Sequence, residues 1–98
     1  GNFTIEFMRR FYFDKCFMGT EGIDLEHGIS TPSMEDGNTK RCAIEKSKRI
    51  FIVTDHTKFG LKTSYSYVDV SDADYIITND SDVDTTPYED KGVKIIKV

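Results

Sequence analysis

The chain has 98 residues, 38% of them hydrophobic and 31% charged, with a formal net charge of −4. That length supports one small core and leaves no room for two, and the acid excess, with Lys and Arg scattered among acids and apolar residues, excludes a surface built to grip a nucleic-acid backbone. No apolar run approaches the roughly 20 residues needed to cross a bilayer, and Arg9 and Arg10 break the only apolar stretch near the start, unlike a signal peptide, so a soluble cytoplasmic domain is expected.

Thr4 is positioned to cap an amphipathic helix in which Ile5, Met8 and Tyr12 share a face, with Phe7 and Phe11 beside it. Lys15-Cys16-Phe17-Met18 is a short apolar run stopped by Gly19, the pattern of a buried strand. From Gly19 to Ser33 the glycines and Pro32 predict a loop, long enough to suggest a role beyond connection. Met34 to Lys48 reads as a helix with Ala43, Ile44 and Ser47 on one stripe, weakened in its first half by Gly37. Arg49 to Thr54 is the clearest strand, with the continuous apolar centre of a parallel sheet covered on both faces. Asp55 to Gly60 follows at its carboxyl end. Tyr75 to Thr78 and Val93 to Val98 are further strands, joined by a helical turn around Pro87 to Lys91. Such alternation predicts an α/β layer with a mostly parallel sheet.

Ligands of such sheets bind beyond the carboxyl ends of the strands, where two segments are placed. In Gly19-Thr20-Glu21-Gly22-Ile23-Asp24 the glycines permit close backbone approach, and Glu21 and Asp24 are pure acceptors suited to sugar hydroxyls. On residue types alone a glycine turn with two solvated acids is the better fit, because a glycine loop without a matching fingerprint is a weak signal. In Thr54-Asp55-His56-Thr57-Lys58, a Lys at the mouth of a strand can meet a phosphate or hydroxyl, or simply pair with Asp55 at the surface. His56 has no orienting partner evident in the sequence and reads as a surface residue. The alternating acids Asp80, Asp82 and Asp84 mimic the opening of a calcium loop. However, Thr85 stands where its glycine belongs and Lys91 where its closing Glu belongs. Cys16, His27, Cys42 and His56 lack zinc-ligand spacing, and the cysteines read as free buried thiols. No metal or cofactor is implied.

Taken together and in order, these segments resemble the effector-binding half of DeoR-family transcriptional regulators. Phe13 to Asp24 is similar to the family's "FDKxFxGxxGID" segment, and Gly28-Ile29-Ser30-Thr31 to its "G-[IVL]-[ST]-T" loop. Lys40-Arg41-Cys42-Ala43-Ile44 resembles "KRAMI", Asp55 to Gly60 "DxSKFG", and Tyr75 to Asp80 the "xLITD" strand. The run FMGTEGIDLEHGIST particularly resembles the glucitol-operon-repressor branch. The resemblance implies a three-layer α/β sandwich like that of ribose-5-phosphate isomerase and glucosamine-6-phosphate deaminase. It also implies an effector that is a phosphorylated sugar or sugar alcohol. Carried over by position, Gly19, Thr20, Glu21, Gly22, Asp24, Asp55 and Lys58 are the effector-binding residues, with Glu21 and Asp24 accepting from hydroxyls and Lys58 as the cationic contact.

Two departures accompany it. Asn38 stands where the family commonly has an acid before "KRAM", and the connection after Asp80 is shorter than the family's usual helix. The resemblance further implies that residues 1–98 are the later part of a sensor domain, with a helix-turn-helix domain and the first half of the sensor outside this stretch. On that reading the chain is not an enzyme; operator DNA is bound only through the missing N-terminal domain, and the full-length protein is a homo-oligomer. The rival reading is a fragment of a sugar-phosphate isomerase or deaminase, with Glu21 as general base.

Overall fold

In the computed structural model, which describes residues 2–98, the elements run as follows. Helix α1 (Asn2–Met8) leads into β1 (Phe13–Gly19), then β2 (Gly22–Asp24) and β3 (Gly28–Thr31). Helix α2 (Met34–Glu45) precedes β4 (Ser47–Val53), and β5 (Tyr65–Val68), β6 (Tyr75–Thr78), α3 (Thr86–Glu89) and β7 (Lys94–Lys97) complete the chain. One-turn 3₁₀ helices at His56–Lys58 and Val70–Asp72 lie between β4 and β6.

Strands β1, β4, β6 and β7 form a parallel sheet in the order β1-β4-β6-β7. These are the four strands expected from the apolar runs, and the α/β architecture with a mostly parallel sheet is the one the sequence implies. Alternation along the strands splits their side chains between two faces. Ile50, Ile52 and Ile76 point to the core, where they join Ile23, Ile29, Ile44 and Tyr67. Ile23, Ile29, Ile52 and Ile76 are 0% exposed, and burial of each stabilises the fold by about 1.5–3 kcal/mol.

The stretch expected to be a loop from Gly19 to Ser33 is instead two strands. β2 and β3 form an antiparallel hairpin, with Ile23 opposite Ile29, and β3 then pairs with β5, a strand the sequence did not announce. Gly28 sits at the turn with φ +99°, a conformation that favours glycine. This second sheet supplies Ile23, Ile29 and Tyr67 to the core, so an apparent loop buries as much as a strand.

Helix α2 starts at Ser33, whose side-chain oxygen accepts from the Asp36 N–H at 3.2 Å. It stops at Glu45, three residues before the expected end, because Lys46 leaves helical geometry and Ser47 already pairs with Phe13 in the sheet. Gly37 does not merely weaken this helix. A β-carbon there would lie 2.3 Å from the Tyr65 ring, so the helix packs on β5 through the missing side chain. Helix α1 is shorter than its apolar pattern suggested. It includes Thr4 and ends at Met8, which leaves Tyr12 outside it. Both cysteines are free thiols, Cys42 buried and Cys16 half-buried, with burial raising the Cys16 pKa. Among the described residues no helix is long and apolar enough to cross a membrane.

Candidate functional site

Gly19 closes β1 directly beside Val53 at the end of β4. The segments that follow them, from Thr20 and from Thr54, therefore leave the same carboxyl edge on neighbouring strands. They are also bonded to one another. The Gly60 N–H donates to the Ile23 carbonyl at 2.7 Å, and Ile23 makes a parallel bridge with Phe59. Gly22 permits this approach, since a β-carbon there would stand 2.6 Å from the Leu61 carbonyl oxygen and 2.9 Å from Ser30 Oγ.

Thr20 is 8% exposed, and its hydroxyl donates to the Ser30 carbonyl at 3.0 Å, which fastens the end of β1 to β3. The Glu21 N–H reaches the same carbonyl at 3.3 Å, while its side chain is exposed. Among the described residues neither the Glu21 carboxylate nor the Lys58 ammonium has a hydrogen bond or ion pair. A carboxylate and an ammonium of this kind can take a hydroxyl and an anionic oxygen respectively without first breaking an internal bond.

Asp24 and Asp55 are differently placed. Asp24 Oδ2 accepts from the backbone N–H groups of His27 at 2.8 Å and Glu26 at 3.1 Å, closing the β2–β3 turn. The His27 bond is the main cause of a pKa held below the usual 3.8, ahead of the opposing effect of desolvation and the smaller contribution of Glu26. Asp55 Oδ1 accepts from both the hydroxyl and the N–H of Thr57, the latter at 2.8 Å, and caps the 3₁₀ turn that carries Lys58. The Thr57 hydroxyl is the largest cause of its lowered pKa. Both carboxylates are thus engaged in shaping the loops.

Several neighbours of this edge were not evident from the sequence. Lys40 Nζ lies 3.2 Å from the Gly19 carbonyl oxygen and 3.2 Å from Asp36 Oδ2, and sits 5.7 Å from the centre of the Tyr67 ring. Asp36 lies one helical turn before Lys40, and Asn38 accepts from the Tyr65 hydroxyl at 2.5 Å. Asp36 also accepts from Thr31 at 3.2 Å. Tyr67 is fully buried, and its hydroxyl lies beside Thr20 without a hydrogen bond of ordinary geometry. Burial pushes its pKa up to about 12.

His56 does have an orienting partner. Its backbone N–H donates to Asn79 Oδ1 at 2.7 Å, and the Asn79 amide nitrogen lies 2.8 Å from its ring Nδ1. The spacing of 23 residues hid this contact, which ties the loop after β4 to the end of β6. On that strand Thr78 is 2% exposed, and among the described residues its hydroxyl has no hydrogen-bond partner. Asp84, from the calcium-like run, accepts from the Thr86 N–H at 3.0 Å and serves a helix start.

Residues 1–80 match the family described as DeoR C terminal sensor domain. The chain is 31% identical over 98 residues to the "Uncharacterized HTH-type transcriptional regulator FruR" of Bacillus subtilis (strain 168), covering 99% of this chain and 39% of that protein. It is 35% identical over 79 residues to the "HTH-type transcriptional repressor GlcR" of the same organism, covering 81% and 30%. It is 30% identical over 79 residues to the "Glycerol-3-phosphate regulon repressor" of Escherichia coli (strain K12), covering 81% and 31%. The chain thus spans less than two fifths of each of these relatives. With the family's profile matched over most of its length, the chain belongs to the DeoR C-terminal sensor domain family.

Proposed function

We propose that this chain is the effector-binding part of a transcriptional repressor of carbohydrate metabolism, and that its effector is a phosphorylated sugar or sugar alcohol. The effector spans the Gly19–Asp24 and Asp55–Lys58 loops. The observation that carries this reading is the joining of those two loops at one carboxyl edge, with neither Glu21 nor Lys58 in a side-chain hydrogen bond or ion pair among the described residues. Glu21 accepts from a hydroxyl, Lys58 meets an anionic or hydroxyl oxygen, and Gly19, Thr20 and Gly22 bring the backbone close. Asp24 and Asp55 contribute by fixing the loops. The name of one relative, a glycerol-3-phosphate regulon repressor, points to the same ligand chemistry.

On this reading the domain is a sensor and catalyses no reaction. It acts in the cytoplasm, in a homo-oligomer that holds operator DNA through a helix-turn-helix domain outside residues 1–98. The effector regulates by favouring either the DNA-bound or the released state.

Calorimetric titration of the full-length protein with hexose, hexitol and glycerol phosphates tests it. Lys58→Met keeps the apolar stem and removes the charge. A charge-assisted hydrogen bond is worth roughly 1.5–3 kcal/mol, so affinity falls by about one to two powers of ten. Equal affinity in both proteins would refute the placement of the effector at Lys58. Turnover of a sugar phosphate, abolished by Glu21→Gln, would establish an enzyme instead.

A further inference from the structure

On the core face of the parallel sheet, the row nearest the carboxyl edge is made of hydroxyls. Met18 pairs with Ile52 and Ile52 with Ile76, an apolar row packed in the core. Two residues further along each strand, alternation puts Thr20, Thr54 and Thr78 on the same face. Their hydroxyls are not equally engaged. Thr20 donates to the Ser30 carbonyl at 3.0 Å, and Thr54 to the Asp55 carbonyl at 3.3 Å. The Thr78 hydroxyl, on a residue 2% exposed, has no partner among the described residues. A buried hydroxyl left unsatisfied costs stability. Valine has the same branching at Cβ and carries no polar group, so packing alone gives no reason for the hydroxyl. The surroundings of Thr78 give one. The Thr54 N–H donates to the Ile77 carbonyl at 3.0 Å, and the His56 backbone N–H to Asn79 Oδ1 at 2.7 Å. Thr78 therefore lies between the two ties that hold the start of the Lys58 loop against the end of β6. The His56–Asn79 contacts are exposed to solvent, so parting them to reach Thr78 costs little.

We propose that Thr78 is a further effector-binding residue, whose hydroxyl bonds an uncharged hydroxyl on the carbon chain of the sugar or sugar alcohol. Its neighbourhood suits a neutral group better than a phosphate. The cross-strand residue on β7 is Lys97, but its ammonium donates to the Ser81 and Val83 carbonyls at 3.3 and 3.1 Å. Lys58 remains the cationic contact of the site. The Thr78 hydroxyl then destabilises the free protein and stabilises the complex, the trade between stability and function common at binding sites. This inference rests on the effector reading above, and adds to it a residue that reads the carbon chain.

Calorimetry on the full-length protein tests it, with hexose, hexitol and glycerol phosphates as probes and the monodeoxy analogues of whichever binds. Thr78→Val should bind about three- to tenfold more weakly, the worth of one neutral hydrogen bond. One monodeoxy analogue should lose the same factor on the wild type and lose nothing further on Thr78→Val, as expected of two groups that meet. Thr78→Ser, which keeps the hydroxyl, should bind nearly as the wild type does. Without ligand, Thr78→Val should melt at the wild-type temperature or above it. Unchanged affinity in Thr78→Val, or losses that add for every analogue, would overturn the inference and leave the effector reading intact. A lower melting temperature, or failure to fold, would show that the hydroxyl is bonded within the protein and would overturn it as well. A wild type that binds none of the probes would overturn the effector reading, and this inference with it.

Discussion

Gly22 and Leu61 lie so close that a β-carbon on the first would stand 2.6 Å from the carbonyl oxygen of the second. The neighbour is backbone, held by the Gly60–Ile23 hydrogen bond at 2.7 Å, and has little freedom to retreat. Gly22→Ala therefore forces the two segments apart. Overpacking of this kind costs about 1–3 kcal/mol, which appears as a lower urea midpoint with an unchanged slope. A midpoint equal to or above that of the wild type would show that the loops are not tightly joined.

Gly37 sets helix propensity against packing. In an exposed helix interior, Gly→Ala stabilises by roughly 0.5–1 kcal/mol. Here the added carbon meets the Tyr65 ring at 2.3 Å and Thr31 Cγ2 at 3.2 Å. Packing wins, and Gly37→Ala is expected to destabilise the domain by about 1 kcal/mol or more in chemical denaturation. A gain in stability would mean that α2 and β5 can separate at no cost.

Among the described residues the buried Tyr67 hydroxyl has no hydrogen bond of ordinary geometry, although Thr20 lies beside it. An unsatisfied buried group is a liability, so Tyr67→Phe should be neutral or stabilising, within about 1 kcal/mol at pH 7. Loss of more than about 1.5 kcal/mol would reveal a true hydrogen bond, with Thr20 the nearest candidate. Burial raises this pKa from 10 to about 12. Between those values the unfolded chain releases a proton that the folded one keeps, and stability falls as pH rises. Tyr67→Phe should flatten that alkaline decline, measured by thermal melting from pH 9 to 11.5.

Asp24 gives the opposite pH dependence. Its folded pKa is below 3.8, chiefly through the bond from the His27 N–H. Its contribution is therefore complete above the unfolded value and is lost as pH falls through the folded one. The melting temperature of Asp24→Ala should lie below that of the wild type at pH 6, and the gap should narrow below pH 3.8. A gap that does not change with pH would mean that the ionised carboxylate does not hold the turn.

The parallel strands were legible because each is a short run whose own residues declare it. Ile50 and Ile52 are flanked by apolar neighbours, and the chain returns in the same direction through the helical α2. The positions of the two candidate segments, after Gly19 and after Val53, were legible for a related reason, since a strand's carboxyl end can be placed once the strand is found. The small antiparallel sheet was not. Gly22–Asp24 is three residues long, and the sheet it forms with Gly28–Thr31 is completed by Tyr65–Val68, far along the chain, so long-range pairing is needed to distinguish it from a loop. Chemical roles divide in the same way. The sequence by itself determined which residues can carry charge at the edge. Tertiary structure decided that Asp24 and Asp55 are bound to local N–H groups while Glu21 and Lys58 are not. It also brought in Lys40, 21 residues from Gly19, and Asn79, 23 residues from His56. A carboxylate's residue type fixes its charge, but its availability depends on whether the folded backbone presents N–H groups to it.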